Sequence, residues 1–459
     1  MNFRKIILIV AVAMLSAGCV QVTPPGEETL SVTVPQGWGT GSVSGSPADG
    51  WIESFGDEGL SAVMAEALSG NLQLQAALSR LEQAEALARI EGADRWPDLS
   101  LSGSASRQMS NNLIDPPVRT RSDRFGLDAV VSWELDLWGR VRARALAANA
   151  DAEAAQADYA ALRLSIASRV ANAWFATIAA RRQEALALET VTSFEANLTT
   201  VQERFERGLS PALDLRLTRA NVANARATQA LQKRLADSSA RQLEVLLGRY
   251  PSATVSVSDE LPVLLEPVPA GLPSELLLRR PDILGSANRL MAADARLKES
   301  KRALLPAIRL TGSYGRASND LDNILKDSFD VWSLLGNITA PLFQGGRLRA
   351  NVDRSDARLN ESVANYRDTV LTAFREVESA LAGEAYLQQQ LEALQVSVEE
   401  STGAQELAEE RYERGLVDII TVLESQRRAF NARSAYISLQ NELLQNRLAL
   451  YLALGGNIR

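Results

Sequence analysis

Histidine is absent from all 459 residues. Its absence removes the commonest general base, the usual nucleophilic triads and most zinc chemistry. Cysteine occurs once, so no internal disulfide can form. Aromatic residues make up only 5% of a chain that is 46% hydrophobic. Much of that apolar content is alanine, which favours long, closely packed helices over a bulky core. Positive charge is in deficit: the formal net charge is −8, and −10 once Arg4 and Lys5 leave with residues 1–18. Such an acidic balance argues against a nucleic-acid partner. Beyond residue 18 no stretch approaches the ~18–20 apolar residues that a membrane-crossing helix needs. Glycine and proline are both missing from Arg140 to Arg207.

What is present begins with a targeting segment. Arg4-Lys5 precede an apolar run, Ile6 to Leu15, and Leu-Ser-Ala-Gly-Cys follows at 15–19. Residues 1–18 therefore read as a bacterial lipoprotein signal, with lipid placed on Cys19 as the expected covalent group. No other cofactor and no metal is implied. Residues 19–50 are rich in Gly, Pro, Ser and Thr and read as a lipid-anchored tether.

The rest is a duplication. Gly139-Arg140 recurs as Gly346-Arg347, 207 residues later. At the same offset Arg204–Leu209 matches Arg411–Leu416, Asn224-Ala225-Arg226 matches Asn431-Ala432-Arg433, and Gly248 matches Gly455. A repeat of that size sets architecture. The first copy, 51–248, reads as a short helix from Trp51 to Ser69 and a longer one from Asn71 to about Arg95. A strand pair at about 98–137, a long helix 140–207 and a return helix 211–247 follow. Residues 125–137 alternate, with Phe125, Leu127, Val131, Trp133 and Leu135 on one face and Asp128, Ser132, Glu134 and Asp136 on the other. Leu99, Leu101, Gly103 and Ala105 make a weaker partner strand, and Gln108 to Asp123 reads as a polar loop. Residues 249–278 read as a Pro-rich connector. The second copy, 279–456, repeats the order, with a helix stopped by Pro306, a strand pair at about 308–342, a long helix 347–414 and a return helix 418–454. At ~1.5 Å per residue each long helix is a rod of about 100 Å, which must pack along other rods.

Four strands cannot close a barrel, and open edges are not tolerated in lipid. Several chains must pool strands; three would supply about 12, an even number within the bacterial range. The fold class expected is mainly α with a small β part: antiparallel coiled-coil helices forming an α-barrel, plus four strands per chain in a trimeric transmembrane β-barrel.

In this joint order the chain resembles the outer-membrane efflux proteins, the TolC-like outer-membrane factors, in the lipoprotein branch with OprM- and NodT-type members. The resemblance covers nearly the whole chain. Its sharpest motif is Leu278-Arg279-Arg280-Pro281-Asp282-Ile283, and Gly415-Leu416-Val417-Asp418 through Leu423-Glu424-Ser425-Gln426-Arg427 is the next. It implies a homotrimer in the outer membrane, with the helices in the periplasm, a periplasmic adaptor and an inner-membrane pump. It also implies that the turns at Arg207, Gly208, Leu209 and Ser210 and at Arg414, Gly415, Leu416 and Val417 meet the adaptor. A periplasmic gate is implied at Ile420, Glu424 and Arg427, with Asp214 a weaker candidate. On the residues alone, Gly208 and Gly415 read equally as helix terminators, and Glu424 with Arg427 reads also as a solvated helix face. Two other functions stay open at this point. A lipid-anchored spacer or adhesin needs no membrane strands. A hydrolase would use paired carboxylates such as Glu399-Glu400 or Glu409-Glu410, but these sit in a charged helical pattern with no α/β pocket.

Overall fold

The computed structural model describes residues 34–40, 45, 50–111, 116–264 and 266–456. The signal segment 1–18, Cys19 and most of the expected tether lie outside the described residues. The chain divides into two compact units, Ala88–Asp151 with Ala287–Ala364, and Val34–Leu87 with Ala152–Ser286 and Asn365–Arg459.

The first unit holds a four-stranded antiparallel sheet in the order β1-β2-β3-β4. The strands are β1 Asp98–Asn111, β2 Arg119–Leu135, β3 Ala307–Ser318 and β4 Asp330–Thr339. Trp96-Pro97 and Pro306 end the preceding helices, because proline disfavours helix in the residue before it. Register aligns the alternating residues: Leu99 faces Val131, Val131 faces Gly312 and Gly312 faces Leu334. One face is thereby apolar on all four strands.

Two strand limits differ from the sequence reading. The expected polar loop from Gln108 to Asp123 is largely strand, paired from Gln108 opposite Ser122 to Asn111 opposite Arg119. Its polarity marks two faces in polar surroundings, and a two-point ion pair from Arg107 to Asp123 fastens it across the strands. At the other end β4 stops at Thr339 rather than 342, since Pro341 has no N–H to give a ladder. The segment between β3 and β4 contains two short 3₁₀ turns, Leu321–Asn323 and Asp327–Phe329.

The helices are α1 Glu58–Gly70, α2 Leu72–Ala93, α3 Arg140–Glu206, α4 Ala212–Leu246, α5 Pro273–Arg279, α6 Pro281–Arg302, α7 Arg347–Glu413 and α8 Ile419–Ala453. α3 and α7 have 67 residues each and α4 and α8 have 35 each, so the duplication holds at the level of element length. Asp136 caps α3, its carboxylate accepting from the Val141 and Arg142 N–H groups at 3.0 and 2.8 Å. α5 begins inside the expected connector 249–278 and ends one residue past it; proline at its first position and Glu275, whose carboxylate accepts from the Leu272 N–H at 3.2 Å, explain the turn of helix.

In the second unit Trp51 stacks on Tyr451 with ring centroids 5.6 Å apart, and Phe55 packs 5.1 Å from Phe175. Part of the segment expected to be a tether belongs to this core. The Trp38 side chain is buried, its Nε1 donates to the Gly271 carbonyl at 3.0 Å, and its ring meets Phe374 edge-on.

Candidate functional site

The apolar sheet face is left bare by the chain itself. Leu99, Leu101, Trp332, Leu334 and Ile338 are each at least 69% exposed. The face runs from Leu135, level with Ile308 and Ile338, up to Phe125 on β2. That is about 34 Å of strand, or roughly 25 Å of bilayer at a barrel tilt of ~40°. Aromatic residues stand towards both ends of this face. At the helix-bearing end Trp133 Nε1 donates to the Arg95 carbonyl at 3.1 Å, and Trp96 is exposed beside it in sequence. Towards the other end Tyr314, opposite Ala129, pairs with Trp332, four residues short of the Phe125 row, and the Tyr314 hydroxyl donates to Asp330 at 3.1 Å. Indole and phenol rings suit the boundary between lipid and water, where one end is apolar and the other wet. Sequence reasoning missed the Tyr314–Trp332 pair because its members lie on separate strands; the strand register is what brings them together.

The opposite sheet face is hydroxyl-rich. Ser100, Ser102 and Ser104 on β1 continue through Ser132 to Thr311, and the Ser313 and Ser333 hydroxyls lie 2.7 Å apart. An apolar and a mainly polar side therefore alternate along β1, β2 and β3, while β4 also carries Val331 and Leu335 on its second side.

The second unit carries the two turns. Gly208 and Gly415 have φ of 75° and 72°, and both turns close the same way. The Leu209 N–H donates to the Arg204 carbonyl at 2.8 Å and Leu416 N–H to Arg411 at 2.9 Å, the Schellman pattern. A Cβ at either glycine would meet nothing within 4 Å, so the left-handed conformation, not crowding within the chain, calls for glycine. Arg204 joins the turns, its guanidinium 4.6 Å above the Tyr412 ring and donating to the Tyr412 carbonyl at 3.0 Å. Val201, Leu215, Tyr412, Ile419 and Val422 form an apolar cluster beneath.

Ile420 is exposed and shares a groove of about 420 Å³ with Glu424, Arg427, Phe194 and Phe430. Glu424 accepts from Arg428 Nε at 3.0 Å and from Arg427 Nη2 at 2.8 Å. These guanidinium groups, Arg428 foremost, lower its pKa. Its arginine partners are thus on its own helix, and Arg428 was not singled out from the sequence. Asp214 is shifted the other way: burial first, and then the Asp418 carboxylate, raise its pKa. The repeat-related arginines both reach α3. Arg226 meets Glu195 at 2.6 Å and Arg433 meets Glu189 at 2.7 Å.

The Arg279–Asp282 motif is a joint. Buried Arg280 pairs with Asp282 at 2.8 Å and with Glu376 on α7, and donates to the Ala453 carbonyl at the end of α8 at 3.2 Å. Arg279 donates to the Gly455 carbonyl at 3.4 Å, and Pro281 opens α6. In a second buried pair Arg447 meets Glu384, and the Arg447 guanidinium also donates to the Glu266 carbonyl at 2.7 Å. No group of side chains suited to a metal occurs among the described residues.

A chain with an uncovered apolar sheet, hydroxyls behind it and paired 67-residue helices can be compared with known proteins. The family model described as outer membrane efflux protein matches residues 63–249 and 272–456. The solvent efflux pump outer membrane protein SrpC of Pseudomonas putida is 32% identical, the match covering 97% of each chain. The cation efflux system protein CusC of Escherichia coli K12 is also 32% identical, over 89% of this chain and 88% of that one. The solved CmeC outer membrane channel of Campylobacter jejuni superposes with a TM-score of 0.89 at 26% identity, over 96% of this chain and 94% of that one. The chain belongs to the outer membrane efflux protein family.

Proposed function

We infer that three copies of this outer-membrane efflux channel protein assemble into a passive duct whose closed end is opened by an adaptor and an inner-membrane pump. The observation that carries the trimer is the sheet: four strands with an apolar face and two unpaired edges, β1 and β4. Neither edge is tolerable in lipid, and three such sheets pooled edge to edge give about 12 strands. The hydroxyl face then lines the duct.

In this reading Cys19 carries lipid at the inner leaflet, and the helices stand in the periplasm. The turns Arg207–Ser210 and Arg414–Val417 meet the adaptor's helices; their open surroundings and exposed Leu209 and Leu416 support a docking role. Threefold symmetry turns Ile420, Glu424 and Arg427 into rings. In the closed trimer the Glu424 ring pairs with arginines of the neighbouring subunits, in exchange for the pairing along α8 within one chain, so removing Glu424 or Arg427 loosens the closed end. Cargo is not set by resemblance: relatives of equal identity are named for solvent and for cation efflux, and selection falls to the pump.

The test is conductance of the purified protein in planar bilayers, with Glu424→Ala and Arg427→Ala beside the wild type. Wild-type trimers should conduct weakly, and both variants more. Unchanged conductance in both removes the gate assignment, and a detergent-extracted sample that stays monomeric removes the duct. Replacement of Cys19 by Ser should leave the protein resistant to carbonate extraction, because the strands hold it in the bilayer.

A further inference from the structure

The β1–β2 hairpin runs past the apolar band, and its last rows are charged on one side. Continuing the apolar face stand Arg107, Arg119 and Arg121 with one acid, Asp123. The other face of the same rows carries Ser106, Gln108, Ser110, Thr120, Ser122 and a single arginine, Arg124. Neutral polar groups suffice to keep a hairpin in water, as that second face demonstrates. The guanidinium surplus on the first face calls for an anionic partner.

Asp123 does not supply it. Its carboxylate is held by Arg107 through Nε at 2.7 Å and Nη2 at 3.1 Å. Arg121 stands 3.8 Å away with its side chain 53% exposed. Among the described residues Arg119 has no ion-pair partner. Rows two residues apart spread the three arginines over roughly 14 Å of strand, about 10 Å along the normal at a tilt of ~40°, which covers the ~5–7 Å head-group layer on one side of a bilayer and reaches into the water beyond. Guanidinium binds phosphate through two parallel N–H donors, which an ammonium cannot do.

We propose that this rim is a binding site for a phosphate-bearing glycolipid of the outer leaflet, held by Arg119 and Arg121, with Arg107 oriented by Asp123. The inference rests on the membrane reading above. The rim lies at the hairpin end of the sheet, opposite the end where α3 begins and α6 stops, and so meets the outer leaflet. There the phosphates belong to lipid A rather than to phospholipid.

The test reconstitutes wild type and an Arg119→Ser/Arg121→Ser double variant in phosphatidylcholine nanodiscs containing a small fraction of lipid A. Retained lipid is read by native mass spectrometry. Wild type should retain lipid A and lose it when the lipid is dephosphorylated. The double variant should bind about thirty-fold more weakly, the loss of two arginines near an anionic surface. Asp123→Asn, which frees Arg107, should retain more lipid A than wild type. Equal retention by the double variant, or equal preference for phosphatidylglycerol, would overturn the site. Insertion is followed in parallel by carbonate resistance and heat-modifiable migration. Failure of the wild type to insert overturns the membrane reading and this one together; insertion without lipid A preference overturns this one alone.

Discussion

A Cβ added at Gly315 would lie well inside contact distance of the Leu127 carbonyl oxygen and of the Asp128 carboxylate and Cα, all on the neighbouring strand. Backbone cannot give way there, so Gly315→Val should cost about 1–3 kcal/mol by overpacking. It should appear as a lower yield of heat-modifiable protein in the outer membrane. Gly312, three residues earlier, has only ordinary contacts, and Gly312→Ala should be tolerated in the same assay. Arg447 presents the opposite case, a charge that must keep its partner. Its side chain and that of Glu384 are 5% and 11% exposed. Arg447→Ala leaves a buried carboxylate alone and should cost about 3–5 kcal/mol, whereas a paired Arg447→Met/Glu384→Leu change should cost far less. Thermal unfolding of the detergent-extracted protein separates the two. No sequence pattern marked this pair, because its members lie 63 residues apart on two helices and each alone resembles a solvated helix charge.

At the scale of elements, the tips respond to pH through Asp214, at the start of α4. Its raised pKa means that the folded state favours the protonated form. The associated stability is present below the ordinary carboxylate pKa of about 3.9 and is lost as pH rises through the higher folded value. At neutral pH the ionised Asp214 faces Asp418 at a cost. Asp214→Asn should slow hydrogen exchange of the first α4 turn at pH 7 and make no difference at pH 3; an equal effect at both would refute it. Glu424 behaves inversely, staying ionised to below the usual carboxylate range because Arg428 and Arg427 hold it. The long helices were legible because α3 runs 67 residues without glycine or proline and α7, with Gly383 and Gly403 but no proline, repeats it at a fixed offset. The turns were legible because glycine repeats at the same offset. The hairpin beyond Phe125 was not, since Ser, Gln and Arg carry no alternation once both faces are wet, and α5 was hidden by the prolines around it. The gate positions came from resemblance; the groove and Arg428 came only from the packing of α3, α4 and α8.

For the whole molecule, the water-facing side of the sheet sets how the duct treats ions. Its charges are few: Asp98, Asp128 and Glu134 against Arg124 and Arg309, with Glu134 already 2.7 Å from Arg140. The strand region should therefore discriminate little between cation and anion. Once the closed end is opened by Glu424→Ala, the reversal potential in a KCl gradient should sit near zero with a slight cation preference. Strong anion selectivity would contradict the assignment of that face to the lumen. Finally, the docking of Trp38 against Gly271 and Phe374 shortens the leash. With lipid on Cys19, about 19 residues separate the fatty chains from the fixed point at Trp38, a reach of at most ~65 Å. The acyl chains are confined to that radius, so they act as a short stay holding one flank of each subunit to the bilayer.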